Sequence, residues 1–292
     1  MNDPQYIVPE SLGNALKIKQ EQGADARVIA GGTDLILRMR DRICSPKILL
    51  DLRRASLNTI SCHAGEMRLG AYVTLSQILA DEQIAVLYPA LVEACRLFAG
   101  PPIRNRATLG GNLANASPAA DLAPPLMAFD ANIVLASSAG DRVLGLAEFF
   151  TGPGKTVMRA EEILTQIRLP LVPPDTASRF IKLGQRRSMA ISIINVCTRL
   201  TLGAKGAVSA ARIVVGAAAP IPMRAVAAEA ELIGNPLSDD RIEQAAMEAS
   251  KEISPITDVR ASRSYRERMA LVLVRRALLA SRDDLQRNES ND

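Results

Sequence analysis

Two diglycine turns are the places in this chain where residue type and spacing could do chemistry. The first, Ala30-Gly31-Gly32-Thr33-Asp34, follows the apolar run Arg27-Val28-Ile29-Ala30 and precedes a helical stretch. Glycine leaves backbone N–H groups open there, and the start of a helix adds partial positive charge, so the turn suits a phosphate. The same residues also read as a tight strand-to-helix turn capped by Thr33 or Asp34. They form neither a G-x-G-x-x-G fingerprint nor a Walker loop, which needs a lysine and a hydroxyl after the glycines. The second turn lies in the polar segment 103–121, where Thr108, Asn112, Asn115, Ser117 and Asp121 surround Gly110-Gly111. A segment of that length without its own periodicity is usually functional or disordered, and Leu109, Leu113 and Leu122 argue against disorder. Two separated diglycine turns suit one elongated diphosphate ligand lying between them. A dinucleotide fits.

The remaining composition narrows the chemistry further. One His, no Trp, four Tyr, five Phe and four Cys in 292 residues cannot build a His-rich metal centre. Cys44, Cys62, Cys95 and Cys197 contain no C-x-x-C pair, so no zinc knuckle or iron–sulfur loop is written locally, and they read as ordinary buried thiols. The formal charge of +4 is carried by arginines scattered along the chain, with almost no aromatics to stack bases, which argues against a nucleic-acid partner. Hydrophobic residues at 48% and charged residues at 23% describe a folded, soluble protein. No apolar run approaches the ~18 residues of a membrane span, and Met1-Asn2-Asp3-Pro4 lacks a signal-peptide pattern, so the expected location is cytoplasmic.

The elements that must hold the turns follow from periodicity. Residues 9–22 form an amphipathic helix with Leu12, Ala15, Leu16 and Ile18 inward, and Gly23 ends it. A strand at 27–30, a helix at 35–40 and a strand at 47–52 make a small βαβ unit. Residues 59–64 and 67–71 read as a hairpin, and 75–79 and 85–98 as helices, the second stopped by Gly100-Pro101-Pro102. Beyond the polar segment, a brief turn and a helical restart at Pro125 precede strands at 131–137, 141–146 and 163–169. Three prolines within residues 170–174 mark a boundary. A three-stranded antiparallel sheet (179–184, 193–202, 211–217) and three helices (225–233, 239–253, 265–280) follow, with a polar tail from residue 283.

Taken together, Ala30-Gly31-Gly32-Thr33-Asp34, Ile103-Arg104-Asn105, Thr108-Leu109-Gly110-Gly111-Asn112 and Ala116-Ser117-Pro118-Ala119-Ala120-Asp121 resemble the FAD-binding medium subunit of the molybdenum hydroxylases. That family includes xanthine dehydrogenase, aldehyde oxidase and carbon monoxide dehydrogenase. Phe149 to Thr156, Glu162-Ile163-Leu164 and Lys182 to Arg187 match in order and spacing, so the resemblance covers nearly the whole chain.

The resemblance implies an α+β chain in two parts. The first is a bilobed FAD-binding domain of the vanillyl-alcohol-oxidase-like type over residues 1–172, with lobes of about 1–57 and 58–172. The second is a smaller α+β flavoprotein C-terminal domain, a three-stranded antiparallel sheet with three helices over residues 175–283, followed by a tail at 284–292. It implies that Val28, Ile29, Ala30, Gly31, Gly32, Thr33, Asp34 and Leu35 wrap the pyrophosphate from the first lobe. Thr108, Leu109, Gly110, Gly111 and Asn112 would do so from the second, through their amides. Asn115, Ser117 and Asp121 match positions near the cofactor's polar parts, Leu164 a position beside the flavin ring or adenine, and Lys182 a lysine near the isoalloxazine. Phe98 matches an aromatic stacked on the flavin, and also reads simply as the last apolar residue of its helix.

The implied activity is an oxidoreductase subunit. It takes electrons from the [2Fe–2S] clusters of a small partner subunit and passes them to an external acceptor: NAD, quinone, oxygen or ferredoxin. Substrate is hydroxylated at the molybdenum cofactor of a large partner. His63 lies outside both turns, so the FAD is expected to be non-covalent. A free-standing FAD oxidoreductase and a cofactor-free scaffold subunit are the alternatives. No residue of this chain is expected to be catalytic or to bind metal, because the cofactor carries the redox chemistry.

Overall fold

The structure, a computed structural model, describes residues 3–203 and 206–289. Its first lobe is built on a three-stranded parallel sheet in the order β1-β3-β2, comprising β1 (Gln5–Ile7), β2 (Ala26–Ile29) and β3 (Ile48–Asp51). The sequence pattern does not show β1, because three residues are too few to display alternation. Central β3 is buried along its whole length, which is why it reads as a continuous apolar run. The helix α1 (Leu12–Gln22) crosses over from β1, capped by the Ser11 side chain and closed by Gly23 at φ +51°. Lys19 on its inner face is buried and donates to the carbonyls of Gly23 and Ala26, both at 2.9 Å. Short α2 (Leu35–Arg40) links β2 to β3.

The second lobe carries a five-stranded antiparallel sheet in the order β4 (Ile60–His63), β5 (Glu66–Gly70), β10 (Ile163–Pro170), β6 (Asn132–Ser137) and β7 (Gly140–Gly145). The hairpin β4 (Ile60–His63) and β5 (Glu66–Gly70) turns at Ala64-Gly65, both with positive φ, as a two-residue hairpin requires. Then come α3 (Leu75–Ala80), opened by a Thr74/Gln77 capping box, α4 (Glu82–Leu87) and α5 (Pro89–Leu97). The single helix expected over 85–98 is therefore two. Pro89 has no N–H to continue α4 and drives Tyr88 out of helical geometry, so it opens a new helix instead.

The polar segment is also more ordered than its composition suggests. Gly100-Pro101-Pro102 stops α5 but begins α6 (Pro101–Arg104), where proline suits the first turn. After it come α7 (Leu109–Asn115) and α8 (Ala123–Ala128). The lobe closes with β6 (Asn132–Ser137), β7 (Gly140–Gly145), α9 (Leu146–Phe149), the small hairpin β8 (Phe150–Gly152) and β9 (Lys155–Thr156), and β10 (Ile163–Pro170).

The C-terminal sheet has four strands, not three: β11 (Thr176–Gly184), β12 (Ser192–Leu202), β13 (Val208–Gly216) and the two-residue β14 (Met223–Arg224). Both its faces are buried, in strict alternation. Phe180, Cys197 and Val214 lie opposite one another and join the core of the second lobe. Ile181, Val196 and Val215, one residue along, face α10 (Val226–Leu232), α11 (Asp239–Glu252) and α12 (Arg263–Glu289). The last helix runs through the stretch expected to be a tail, as far as Glu289. Residues 290–292 of that tail lie outside the described residues.

Ion pairs fix this sheet to the second lobe. Asp130 holds Arg199 and Arg212, each at 2.8 Å, and Arg179 bridges Glu93 of α5 and Asp284 of α12 at 2.7 and 2.5 Å. Of the four cysteines, Cys95 and Cys197 are buried and burial pushes both thiols up, while Cys62 is exposed and Cys44 half-buried. The expectation of four buried thiols thus holds for two. Cys62 lies on an edge strand whose residues Ser61, Cys62 and His63 are all exposed. No helix among the described residues is long and apolar enough to cross a membrane.

Candidate cofactor-binding site

The two diglycine turns meet. A Cβ built on Gly31 would lie 1.8 Å from the carbonyl oxygen of Arg106, so the first lobe's turn rests directly on the backbone that leads into the second. Only glycine allows that approach. Side chains tie the same seam: Arg106 Nε donates to Gly31 O at 3.2 Å, and Arg38 Nη1 to Asn115 Oδ1 at 3.0 Å. Beneath them the Tyr72 hydroxyl donates to Ile29 O at 2.5 Å and accepts from the Leu52 amide at 3.0 Å. Burial pushes the Tyr72 phenol above the ordinary tyrosine range, so it remains a neutral donor.

Between the lobes and the C-terminal sheet lies one cavity of about 790 Å³. It is lined by every residue expected at the site except Ile29 and Leu109. Ile29 alternates to the opposite face of β2 from Val28, against the base of the turn, and Leu109 is fully buried in the core of the second lobe. Phe98, Leu164, Lys182 and Asp121 all reach the cavity from different elements. The polar segment, with Asn112, Asn115 and Ser117, forms one of its walls.

The two turns do not offer equivalent amides. In the first, the amides of Gly32, Thr33, Asp34 and Leu35 donate to no protein acceptor among the described residues. Neither Thr33 nor Asp34 caps α2 through its side chain. In the second, the amides are already engaged: Leu109 to Val73 O and Gly110 to Ala71 O, both at 2.9 Å, Gly111 to Thr108 Oγ1 at 3.1 Å, and Asn112 to Thr108 O at 3.0 Å. Of the amides from Thr108 to Asn112 expected to wrap a pyrophosphate, those of Leu109, Gly110, Gly111 and Asn112 are thus held by the protein's own acceptors. Gly110 is glycine because a Cβ there would fall 2.6 Å from that of Ala71. Thr108 spends its hydroxyl as the cap of α7. What this turn presents to the cavity is a helix start and the Asn112 side chain, whose buried Oδ1 has no partner among the described residues.

At the other wall Asp121 and Lys182 form a buried ion pair at 2.5 Å, each side chain 7% exposed. Ser192 Oγ and Asn195 Nδ2 donate to the remaining Asp121 oxygen at 2.6 and 3.1 Å. Sequence reasoning missed Ser192, Arg38, Tyr72 and the backbone of Arg106. Arg38 follows Asp34 by one helical turn and so shares its face, a usable signal. The others carried none, since their role depends on contacts across lobes.

Residues 2–172 match the family model described as the FAD binding domain in molybdopterin dehydrogenase. The chain belongs to the FAD-binding subunits of the molybdenum hydroxylases. Residues 179–281 match a second model, the CO dehydrogenase flavoprotein C-terminal domain. The glyceraldehyde dehydrogenase medium chain of Sulfolobus acidocaldarius is 32% identical over 274 residues, 93% of this chain and 96% of that one. A solved carbon monoxide dehydrogenase from Hydrogenophaga pseudoflava superposes with a TM-score of 0.92 at 30% identity, covering 96% of this chain and 97% of its own. Quinoline 2-oxidoreductase from Pseudomonas putida 86 gives 0.90 at 30% identity, covering 98% and 99%. In this FAD-binding subunit the cavity suits the cofactor on three counts: free amides at one helix start, a buried unpartnered amide oxygen, and room for a dinucleotide.

Proposed function

We propose that this chain is the electron-transfer subunit of a molybdenum hydroxylase. In this reading it receives electrons from [2Fe–2S] clusters of a small partner, with substrate hydroxylated on a large molybdopterin partner. It delivers the electrons to an external acceptor. Residues 1–172 bind the cofactor and 175–283 close the cavity over it. The observation that carries this reading is the junction of Gly31 with Arg106, which makes one cavity out of two lobes.

FAD supplies two-electron and one-electron chemistry when bound, so the protein's task is to hold and tune it. The free amides of Gly32 to Leu35, at the start of α2, stabilise a diphosphate by hydrogen bonds and local dipole. Phe98 and Leu164 supply apolar surface for ring packing, and the Asp121–Lys182 pair sets the local field.

Purification of the chain with its neighbours tests this directly. The expected preparation is yellow, carries about one FAD per chain, and co-purifies with a cysteine-rich iron–sulfur subunit and a large subunit. Recovery of a colourless chain that takes up no added FAD would sink the reading. NADH-to-dye activity from the lone subunit would favour a free-standing oxidoreductase. His63 is exposed on β4 and does not line the cavity, so acid precipitation is expected to release the flavin to the supernatant. Colour retained in the pellet would refute non-covalent binding.

A further inference from the structure

Arg266, in the first turn of α12, is 3% exposed and lines the cavity, although no turn motif contains it. Its Nη1 donates to Ile193 O at 2.6 Å and Ala217 O at 2.9 Å, and its Nη2 to Asp258 Oδ1 at 2.7 Å. One guanidinium thus fastens three segments: the start of β12, the end of β13, and the irregular connector 253–262 between α11 and α12. The end of β13 is itself tied to the polar segment, because Ala217 N donates to Pro118 O at 2.8 Å. The connector meets β13 a second time through Ser254 N to Ala218 O at 3.0 Å.

Asp258 is the connector's anchor. Its carboxylate also accepts from the amides of Arg260 and Ala261, at 2.8 and 3.3 Å, and from Arg260 Nη1 at 3.0 Å. Burial alone would raise its pKa, but these amides and the Arg266 guanidinium bring it down to about 2, so the clamp stays charged at any working pH. Two residues before two of the three clamped positions, Ile193 and Asp258, stands an exposed isoleucine, Ile191 at 57% and Ile256 at 66%, and both line the cavity. The C-terminal part of the chain therefore contributes two exposed apolar side chains and Arg260 to the lining of the cavity.

We propose that Arg266 is a positioning residue for electron delivery. It holds Ile191 and Ile256 together as one wall, and that wall discriminates among external electron acceptors without holding FAD itself. The inference rests on the electron-transfer reading above. Its physical basis is that a wall displaced by about 1 Å changes how an acceptor meets the ring far more than it changes cofactor affinity.

The test uses the assembled holoenzyme carrying Arg266→Met, Arg266→Lys or Asp258→Asn. Each is reduced with dithionite and reoxidised by ferricyanide, a small ion, or by dichlorophenolindophenol, a planar aromatic. Arg266→Met is expected to change the ratio of the two rate constants on the order of tenfold, with FAD content unchanged. Arg266→Lys returns the ratio part of the way. If Arg266→Met does not assemble, Asp258→Asn keeps the buried cation and is expected to shift the same ratio. An unchanged ratio in the variants that assemble, or a loss of rate that only tracks loss of FAD, overturns the proposal. A wild-type chain that takes up no FAD overturns the electron-transfer reading and this inference with it. A wild type that carries FAD while the ratio stays constant overturns the inference alone.

Discussion

Gly31→Ala is expected to weaken FAD binding by about 100-fold or more, read as the dissociation constant of the apo-protein for FAD. The added methyl would lie 1.8 Å from the Arg106 carbonyl oxygen and 2.5 Å from its carbon. Both are backbone atoms, so no rotamer change relieves the overlap. Overpacking of this kind costs about 1–3 kcal/mol when side chains can move, and here the whole seam between the lobes must open. Opening it separates the amides of Gly32 to Leu35 from the wall that holds Asn112 and Asn115, which is the geometry a diphosphate would need. Gly32→Ala is the informative contrast. Gly32 has φ +70° and its Cβ would meet Ile36 Cγ1 at 3.2 Å, a flexible neighbour, so the cost is about 1–2 kcal/mol of backbone strain with the seam intact. The expected order of FAD affinity is wild type, then Gly32→Ala, then Gly31→Ala. Binding by Gly31→Ala within about threefold of wild type would show that the seam does not shape the site.

How much of this was legible beforehand depends on whether a feature is local. Short-range signals transferred well: the glycine that ends α1, the helix at 35–40 and the hairpin of 59–64 with 67–71 follow from turn chemistry and periodicity, although its turn lies one residue earlier, at Ala64-Gly65. The resemblance named residues that the structure gathers around one cavity, because its motifs are backbone turns whose spacing survives in sequence. Failures came where packing overrides propensity. Pro89 was absorbed into a helical apolar pattern although it begins a helix, and β14 is too short to show alternation. The amides of Leu109 and Gly110 show a deeper limit. Glycine content signals close approach of some backbone, but not whether a ligand or the protein's own Ala71 and Val73 is the partner. Ser192 and Arg266 were invisible for a related reason: each acts through contacts separated by dozens of residues.

Under the proposed function, the buried Asp121–Lys182 pair is expected to affect both stability and the cofactor's potential, and it carries the second large effect. The resemblance places the two separately, Asp121 near the cofactor's polar parts and Lys182 near the isoalloxazine. At 2.5 Å and almost fully buried they are one neutral unit, and Asp121 has its other oxygen occupied by Ser192 and Asn195. Removing one member leaves an uncompensated buried charge, which typically costs about 3–5 kcal/mol. Lys182→Met is expected at the lower end, since the carboxylate keeps two donors. Asp121→Ala is expected at the upper end, since a cation, a hydroxyl and an amide all lose their acceptor. The double variant Lys182→Met/Asp121→Ala is expected to cost less than the sum of the single changes, with a coupling of about 1–3 kcal/mol in denaturant unfolding. The same logic fixes the sign of the redox effect. Asp121→Asn keeps the shape but unmasks the Lys182 charge beside the cavity, which favours the more negative reduced cofactor and raises its midpoint potential. Lys182→Met unmasks the Asp121 charge and lowers it. For a two-electron couple each 1.4 kcal/mol is about 30 mV, so shifts of tens of millivolts in opposite directions are expected in a spectroelectrochemical titration. Shifts in the same direction would mean that the variants disturb the fold around the ring, and that the pair does not set the field there.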